Sequence, residues 1–217
     1  ELLSQAQDSS LTHSTLQLRA TMSAIRHPCL IVGRCPSNFE GRNTQGTTTV
    51  ANYLYNAEGQ RVAKTVDGQT THFVYDPDGR LLGVYDAATG GAMEEIVYLG
   101  SEPVATVRDG SVFHIHTDHL GTPRSISNQS GVAVWRWDSD PFGEALPDED
   151  PDGDGSGFVF HLRFPGQYFD GESGKYYNYF RDYDPKIGGY ITTDPTGLAA
   201  GLNLYAGQPN EGISRFT

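Results

Sequence analysis

Cysteine, positive charge and long apolar runs are all scarce in this sequence. It has two cysteines in 217 residues, and Cys29 and Cys35 match no zinc-site spacing. We interpret them as free thiols, with a short-loop disulfide as the alternative. Lys and Arg number 15 against 27 Asp and Glu, and this net charge of −12 argues against a nucleic-acid-binding surface. No apolar run approaches the ~20 residues of a membrane span.

Signatures of several common enzyme classes are also missing. The sequence has no G-x-S-x-G nucleophile elbow, and no glycine-rich phosphate loop follows a strand and opens a helix. We therefore expect neither a serine hydrolase nor a nucleotide-binding enzyme, and no cofactor. The basic segment and apolar core of a signal peptide are absent as well. Because the sequence begins with Glu1 rather than Met, we interpret it as a fragment or a processed product.

Glycine, proline and aromatic residues are abundant instead. The sequence has 26 Gly and 12 Pro, and 11% of its residues are aromatic, which is typical of a turn-rich, all-β protein. The densest stretch is residues 161–205, HLRFPGQYFDGESGKYYNYFRDYDPKIGGYITTDPTGLAAGLNLY. Short aromatic runs bounded by Gly, Pro and Asp predict strands joined by tight turns, with one hairpin centred near Gly171.

A short repeat precedes this stretch. YNAEGQRV (residues 55–62) resembles YDPDGRLL (residues 75–82), which places Gly59 and Gly79 20 residues apart. Each unit predicts a β-hairpin, because Asn or Asp closes the turn with its side chain and Gly supplies the positive φ. Such hairpins must stack on neighbours to bury a face, and two are too few for a stable array, so we expect them to belong to something longer.

Further strands are predicted between the repeat and the aromatic stretch. Residues 95–107 predict two strands and residues 111–116 one more. Residues 132–137 predict a strand that places its two tryptophans on one face, suited to a core. Residues 147–157, PDEDPDGDGSG, predict an acidic, glycine-rich loop.

The first 50 residues differ from the rest. The spacing of apolar residues over residues 10–25 predicts a short amphipathic helix. Prolines then interrupt the pattern, and the polar residues 38–49 predict a loop or linker.

The aromatic stretch also carries a family resemblance. LRFPGQYFD, YYNYFRDYDPKIGGYITTDPTGL and GLNLYA, with HTDHLGTPRSI and VWRWDSDPFGEA upstream, resemble the core domain of the rearrangement-hotspot (Rhs), or YD-repeat, proteins. On this resemblance we divide the chain into an N-terminal segment or linker of unassigned structure (1–50), YD-type hairpins (51–110), an Rhs-associated core (111–206) and a divergent tail (207–217).

The resemblance implies a fold and a role. Rhs proteins form a β-shell of repeated hairpins that encloses a toxin for delivery in competition between bacteria. We therefore expect an all-β fragment of such a shell. Its expected partners are the rest of the parent shell, the toxin domain and components of a secretion system, with no nucleic acid. The resemblance also implies that the parent protein is exported or lies at the cell surface.

Self-cleavage is the enzymatic alternative that the resemblance implies. Many Rhs cores and the related toxin-complex subunits cut themselves with chemistry that resembles an aspartic protease, which implicates an Arg, an Asp in DPxG and a second Asp in a later DPxGL. By motif matching, Arg181 in YFRDYDP and Asp194 in DPTGL correspond to the first two. One carboxylate must act as base on water while another donates a proton. No later DPxGL follows Ala206, so we expect this chain to stay intact, and Asp194 is alternatively a turn residue.

Two groups of residues resemble metal sites. Asp150, Asp152 and Asp154 are spaced like the start of a calcium loop, but the twelfth position is His161 rather than a bidentate Glu. We favour a solvated acidic loop.

The second group lies on the strand predicted over residues 111–116. His114 and His116 share one face of that strand, with Asp118 and His119 just beyond it. We favour polar-tipped aromatics at the end of a hairpin over a metal site.

Four aspartates that precede proline are predicted to initiate turns. They are Asp76, Asp140, Asp150 and Asp184.

A third functional hypothesis, besides shell and self-protease, is a surface module that binds carbohydrate through exposed Tyr and Trp.

Overall fold

The computed structural model describes residues 40–45 and 48–192, and all the regular structure in these residues is β-strand. In this part of the chain, fourteen strands form two antiparallel sheets, one of ten strands and one of four. The all-β prediction is therefore confirmed. Within the described ranges, no helix is long and apolar enough to cross a membrane. The helix predicted over residues 10–25 and both cysteines lie outside the described residues.

The larger sheet is a meander in which each strand pairs with the next one along the chain. Its strands are β1 (Glu40–Gln45), β2 (Thr48–Tyr55), β3 (Arg61–Val66), β4 (Gln69–Tyr75), β5 (Leu81–Asp86), β6 (Ala92–Leu99), β7 (Glu102–Arg108), β8 (Ser111–Thr117), β9 (Pro123–Ser127) and β10 (Ala133–Arg136). The hairpins predicted near Gly59 and Gly79 join β2 to β3 and β4 to β5, which confirms both. The pairing continues across residue 110, where Arg108 lies opposite Ser111.

One type of turn recurs along this meander. In the first hairpin, Oδ1 of Asn56 accepts the backbone N–H groups of Glu58 and Gln60, at 3.1 and 2.8 Å. The Gly59 N–H then donates to the carbonyl of Asn56, with Gly59 at φ +82°. The same Asx-x-x-Gly bond forms at Asp76, Asp118 and Asn128 in the meander, and at Asp140 and Asp150 in the segment that follows it. Two of these turns were predicted as a repeat, and the Asx-to-Gly spacing of the others is equally visible in the sequence.

The loop predicted over residues 38–49 is wrong. Strand β1 and the start of β2 occupy most of it, and Glu40 lies opposite Leu54 in the ladder. Strand propensity depends strongly on context, so polar composition alone does not exclude a strand. Here β2 pairs with β3 on its other side, so a second hairpin extends a sheet that already exists.

The smaller sheet comes from the aromatic stretch. Its strands are β11 (Tyr168–Asp170), β12 (Lys175–Asn178), β13 (Arg181–Asp184) and β14 (Gly189–Tyr190), again paired in chain order. A turn over residues 170–174 joins β11 to β12, so the hairpin predicted near Gly171 is confirmed. The Asp184 carboxylate accepts the N–H of Lys186 at 3.0 Å and initiates the turn before β14, as predicted.

One face of the smaller sheet packs on the repeat strands. Tyr168 and Tyr177 lie opposite each other in the ladder, and cross-strand partners share a face. Both are buried in one apolar cluster with residues of β4, β5 and β6. The residues that these strands contribute are Phe73, Leu81, Val84 and Ile96.

The other face of the smaller sheet is covered as well. Tyr176 packs in a second cluster with Trp135 and Trp137, both 0% exposed, as the alternation in residues 132–137 predicts. Phe158 and Phe160, on the segment that connects the two sheets, complete this core. The smaller sheet is thus enclosed by the larger sheet and its connecting segment, and the strongest candidate site lies where the two sheets meet.

Candidate functional site at the junction of the two sheets

A buried ion pair joins the two sheets. Arg61 begins β3 and Asp170 ends β11, and their side chains are 1% and 2% exposed. Nη1 of Arg61 donates to both carboxylate oxygens of Asp170, at 2.8 and 2.7 Å. Each charge is thereby compensated in a place where an isolated charge would be very costly.

A second layer of polar contacts surrounds this pair. Nζ of Lys64 lies 3.1 Å from Asp170 and 3.2 Å from Glu172, and so bridges the two carboxylates. The Tyr53 hydroxyl donates to the other oxygen of Glu172 at 2.8 Å. We call Arg61, Lys64, Asp170 and Glu172 the junction cluster.

Aromatic rings hold the Arg61 guanidinium in place. Its central carbon lies 3.9 Å from the ring centroid of Tyr177 and 4.2 Å from that of Tyr53. The backbone N–H of Arg61 also donates to the Tyr177 hydroxyl at 2.8 Å. Burial lowers the pKa of Arg61, but the Asp170 carboxylate together with Tyr55 and Tyr177 outweighs burial, so the net direction is upward and Arg61 stays charged.

The position of the arginine within each repeat decides where its charge lies. Arg61 is two residues after Gly59 and points inward, whereas Arg80 is one residue after Gly79 and pairs with Asp76 in its own turn, at 2.6 Å. Leu81 takes the buried position of the second repeat. Both arginines were visible in the sequence, but the inward one was not identified as a site.

A second buried arginine was also missed. Arg163 is 1% exposed, and its Nη1 donates to the carbonyls of Phe160 and Leu162, at 2.7 and 2.9 Å. Its guanidinium lies 4.7 Å from the ring of Phe169, and burial lowers its pKa. Among the described residues no carboxylate forms an ion pair with it, and its two carbonyl bonds hold the connecting segment between the sheets.

Of the two residues matched to the self-cleavage motif, Arg181 lies within the described residues and Asp194 does not. Arg181 begins β13, and its guanidinium lies 3.8 Å from the ring centroid of Tyr190. Asp194 lies outside the described residues, two positions after Thr192. The surroundings of Arg181 are therefore described, whereas its contact with Asp194 stays a prediction.

Asp182, next to Arg181, is a carboxylate that the sequence analysis overlooked. Its N–H donates to Oγ1 of Thr192 at 3.1 Å, and its carbonyl accepts the N–H of Ile191 at 2.9 Å. The strand that carries Asp182 is thus bound to the segment that leads to Asp194. Burial raises the pKa of Asp182, Arg61 opposes this rise, and Asp170 adds to it. The available signal was the RDYDP motif itself, in which Asp182 directly follows the matched arginine.

The acidic loop brings its three aspartates together. Side-chain oxygens of Asp150, Asp152 and Asp154 lie within 4.8 Å of one another. The Asp150 carboxylate, however, already accepts the N–H groups of Asp154 and Gly155, at 3.0 and 3.2 Å. These bonds account for Asp150 as a turn former, and a calcium role stays a prediction to be tested.

His116 and Asp118, from the second candidate group, bind different neighbours. His114 and His116 are exposed on the outer face of β8, as the alternation predicts. Nε2 of His116 lies 2.9 Å from Oγ of Ser127. The Asp118 carboxylate instead accepts a hydrogen bond from Nε of Arg124 at 2.9 Å and another from the N–H of Thr122 in its own turn. It therefore stabilises the local turn.

Comparison with known proteins finds family matches for two segments of the described region. The RHS Repeat family model matches residues 55–90, and the RHS protein model matches residues 112–149. The chain is 33% identical over 168 residues to the double-stranded DNA deaminase toxin A of Burkholderia cenocepacia. It is 31% identical over 167 residues to the probable deoxyribonuclease RhsA of Dickeya dadantii.

These matches cover 70% of this chain but only 10% and 11% of the two relatives, so the chain spans about a tenth of their length. Among solved structures, TcdB2-TccC3 without its hypervariable C-terminal region matches with a TM-score of 0.53 and 21% identity. That match covers 76% of this chain and 8% of the larger one, and it indicates a common fold.

Proposed function

Because the chain belongs to the Rhs, or YD-repeat, family, we propose that it forms part of the wall of a shell that encloses a toxin segment. The observation that best supports this is the strip of ten strands, each paired only with its neighbours in the chain, over the residues described. A strip of this kind grows by adding hairpins at its ends, as repeat architectures do.

The names of the relatives support a common, non-catalytic role for the shared segment. One relative is named a DNA deaminase toxin and the other a probable deoxyribonuclease, yet each matches 70% of this chain. Function lies in particular sites rather than in the fold, so a segment that two proteins with different reactions share is not expected to hold the residues specific to either reaction. We therefore assign those reactions to other parts of the relatives and the enclosing role to the shared part.

The same proposal includes the setting of the parent protein. We infer export for competition between bacteria, with the remaining shell, the toxin segment and secretion-system components as partners. We also propose that the chain is divided into hairpin repeats over residues 51–110 and an Rhs-associated core over residues 111–206.

Protease protection tests the enclosing role. The longest reading frame that contains this sequence is expressed and treated with a nonspecific protease, and its C-terminal segment is followed by mass spectrometry. We expect that segment to survive until the β-structure is unfolded by denaturant. Digestion at the rate of the same segment expressed alone would contradict enclosure.

The carbohydrate-binding alternative has weaker support. A sugar platform requires exposed rings, but Trp135 and Trp137, the two tryptophans of the sequence, are both 0% exposed. Tyr168, Tyr176 and Tyr177 are buried as well.

Self-cleavage is a second candidate function, favoured by the position of Asp182. We propose that Asp182 supplies the second carboxylate for which the sequence analysis found no downstream residue. In the hydrolysis, the Asp194 carboxylate takes a proton from water, and the water oxygen adds to the scissile carbonyl carbon. The C–N bond then breaks as the protonated Asp182 gives its proton to the leaving amine. A raised pKa suits Asp182 to the acid role.

Mass spectrometry of an extended chain tests this assignment. The chain is given a family-like tail in which an Asp near position 217 is followed by Pro, two residues and Leu, and cleavage after that Leu is measured. We expect Asp182→Asn and Asp194→Asn to abolish cleavage, while changing the tail Asp to Asn leaves it intact. If only the tail Asp were essential, Asp182 would have no catalytic role.

A further inference from the structure

Two consecutive repeats offer the smaller sheet equivalent positions of different chemistry. Both hairpins have the same register, with a bulge just before the tyrosine that ends the first strand. Three equivalent positions in each hairpin face the smaller sheet. They are Tyr53, Arg61 and Lys64 in the first repeat, and Phe73, Leu81 and Val84 in the second. The first set is polar and carries two cations, whereas the second set is apolar throughout.

Strand β11 and the turn after it carry the matching groups. Tyr168 is buried in one cluster with the apolar positions of the second repeat, and its ring centroid lies 5.1 Å from that of Phe73. Asp170 and Glu172 follow it and face the first repeat, where Nζ of Lys64 bridges their carboxylates at 3.1 and 3.2 Å. The smaller sheet therefore sets an aromatic ring against the apolar repeat and two carboxylates against the cationic one.

A displacement of the smaller sheet by one repeat would break this match on both sides. The Asp170 carboxylate would lie against Leu81 and Val84, whose side chains have no hydrogen-bond donor. Arg61, 1% exposed, would lose the carboxylate to which it is bonded. Buried charges without partners are strongly unfavourable, whereas a matched buried ion pair adds little stability over an apolar pair of similar volume. The main effect of the cluster is therefore to disfavour the wrong match.

We propose that the junction cluster determines which repeat the smaller sheet docks on. Arg61 and Lys64 distinguish the first repeat as the docking surface, and the complementary partner is a hairpin that presents two carboxylates one residue apart, as residues 170–172 do. A strip of similar hairpins shares its apolar positions, so apolar contacts alone do not distinguish one repeat from the next. The cluster supplies the difference, and this role does not require self-cleavage.

Apolar replacement of the whole cluster separates selection from stabilisation. In the 217-residue chain, one variant gives the first repeat the side chains of the second and removes the two carboxylates that they would leave unpaired. It carries the substitutions Tyr53→Phe, Arg61→Leu, Lys64→Val, Asp170→Leu and Glu172→Leu. We expect this variant to unfold at a urea concentration no lower than the parent, but to dock its smaller sheet in more than one arrangement.

NMR of chains with labelled Phe and Tyr rings reports the arrangement. The parent should show one set of signals and a nuclear Overhauser contact between Phe73 and Tyr168. In the apolar variant that contact should lose intensity, and a second set of signals for Phe73 should appear. Lys175→Met is the matched control, because the ion pair of Lys175 with Asp184 joins two strands within the smaller sheet. It should keep one set of signals.

Three results would overturn the proposal. A single set of signals at the parent's intensity would mean that the cluster around Trp135 and Trp137, on the other face of the smaller sheet, fixes the docking. A single set with a lower urea midpoint would assign the cluster to stability alone. If the apolar variant does not fold, Arg61→Leu combined with Asp170→Leu is measured in the same way, and failure of both to fold likewise assigns the cluster to stability.

Discussion

Gly59 lies against the ring of Phe180, so closely that a Cβ on Gly59 would be 2.2 Å from Cε1 of that ring. Gly79, the matching residue of the next repeat, has the same φ of +82°, but there the nearest atom to an added Cβ is Nε2 of Gln60 at 3.5 Å. The first repeat thus contacts the smaller sheet through the backbone of its turn, and the second does not.

Gly59→Ala should therefore destabilise the protein more than Gly79→Ala. Both variants carry the cost of a positive φ, roughly 1–2 kcal/mol for a residue with a Cβ. Gly59→Ala should add about 1–3 kcal/mol for overpacking against the ring. Urea unfolding measures both, and Phe180→Ala should remove most of the difference. An equal loss in the two variants would mean that the turn tolerates displacement of Phe180.

Asp170→Asn should be strongly destabilising. It leaves the guanidinium of Arg61, 1% exposed, without its carboxylate, and the loss of one partner of a buried pair costs about 3–5 kcal/mol. Chemical denaturation measures the change. The matched control is Arg61→Leu combined with Asp170→Leu, because Leu81 already fills the equivalent position of the next repeat. The double variant should be more stable than Asp170→Asn. If its loss of stability equalled the sum of the losses in Arg61→Leu and Asp170→Leu, a coupled pair would be contradicted.

Asp182 and Asp118 should contribute to stability with opposite dependence on pH. The folded pKa of Asp182 is raised by burial, so its contribution is present below its unfolded value of about 3.9 and is lost as the pH rises through the folded pKa. Burial also raises the pKa of Asp118, but backbone N–H groups of Thr122 and Leu120 and the charge of Arg124 outweigh it, so the net direction is downward. The contribution of Asp118 is therefore lost as the pH falls through its folded pKa.

Asparagine variants separate the two signs. Relative to the parent chain, Asp182→Asn should become more favourable as the pH rises from about 4 to 7. Asp118→Asn should become less favourable as the pH rises from below the folded pKa of Asp118 to about 5, where its contribution is nearly complete. Denaturant unfolding at several pH values measures both. Parallel trends in the two variants would contradict the assignment of at least one of these environments.

Calcium should leave the melting temperature unchanged. The Asp150 carboxylate is occupied by the N–H groups of Asp154 and Gly155, and the loop has no bidentate Glu at its twelfth position. A site with a Kd of ~10 μM would add about 2.7 kcal/mol at a hundredfold excess of calcium. Thermal unfolding with calcium and with chelator distinguishes the two cases. A rise that disappears in Asp152→Asn would establish a calcium site.

Local chemistry explains why most strands and turns were predictable. Asn56 and Asp76 close their turns with their own side chains, and the following Gly supplies a conformation that other residues rarely adopt. The alternation around Trp135 likewise reports a buried face within a few residues. Strand β1 was missed because its stability comes from pairing with β2, which its own polar residues do not reveal.

The all-β class, the hairpins at Gly59, Gly79 and Gly171, and the resemblance to the Rhs family can all be read from the sequence alone, since each depends on residues close together in the chain. The tertiary structure was needed to show that Arg61 is buried against Asp170 while Arg80 pairs with Asp76 in its own turn, because a shift of one residue moves a side chain to the other face. It alone also paired Arg61 with Asp170, 109 positions away, and placed Asp182 on the same face. Many acidic residues were equally eligible in the sequence, and the packing of the two sheets selected these two.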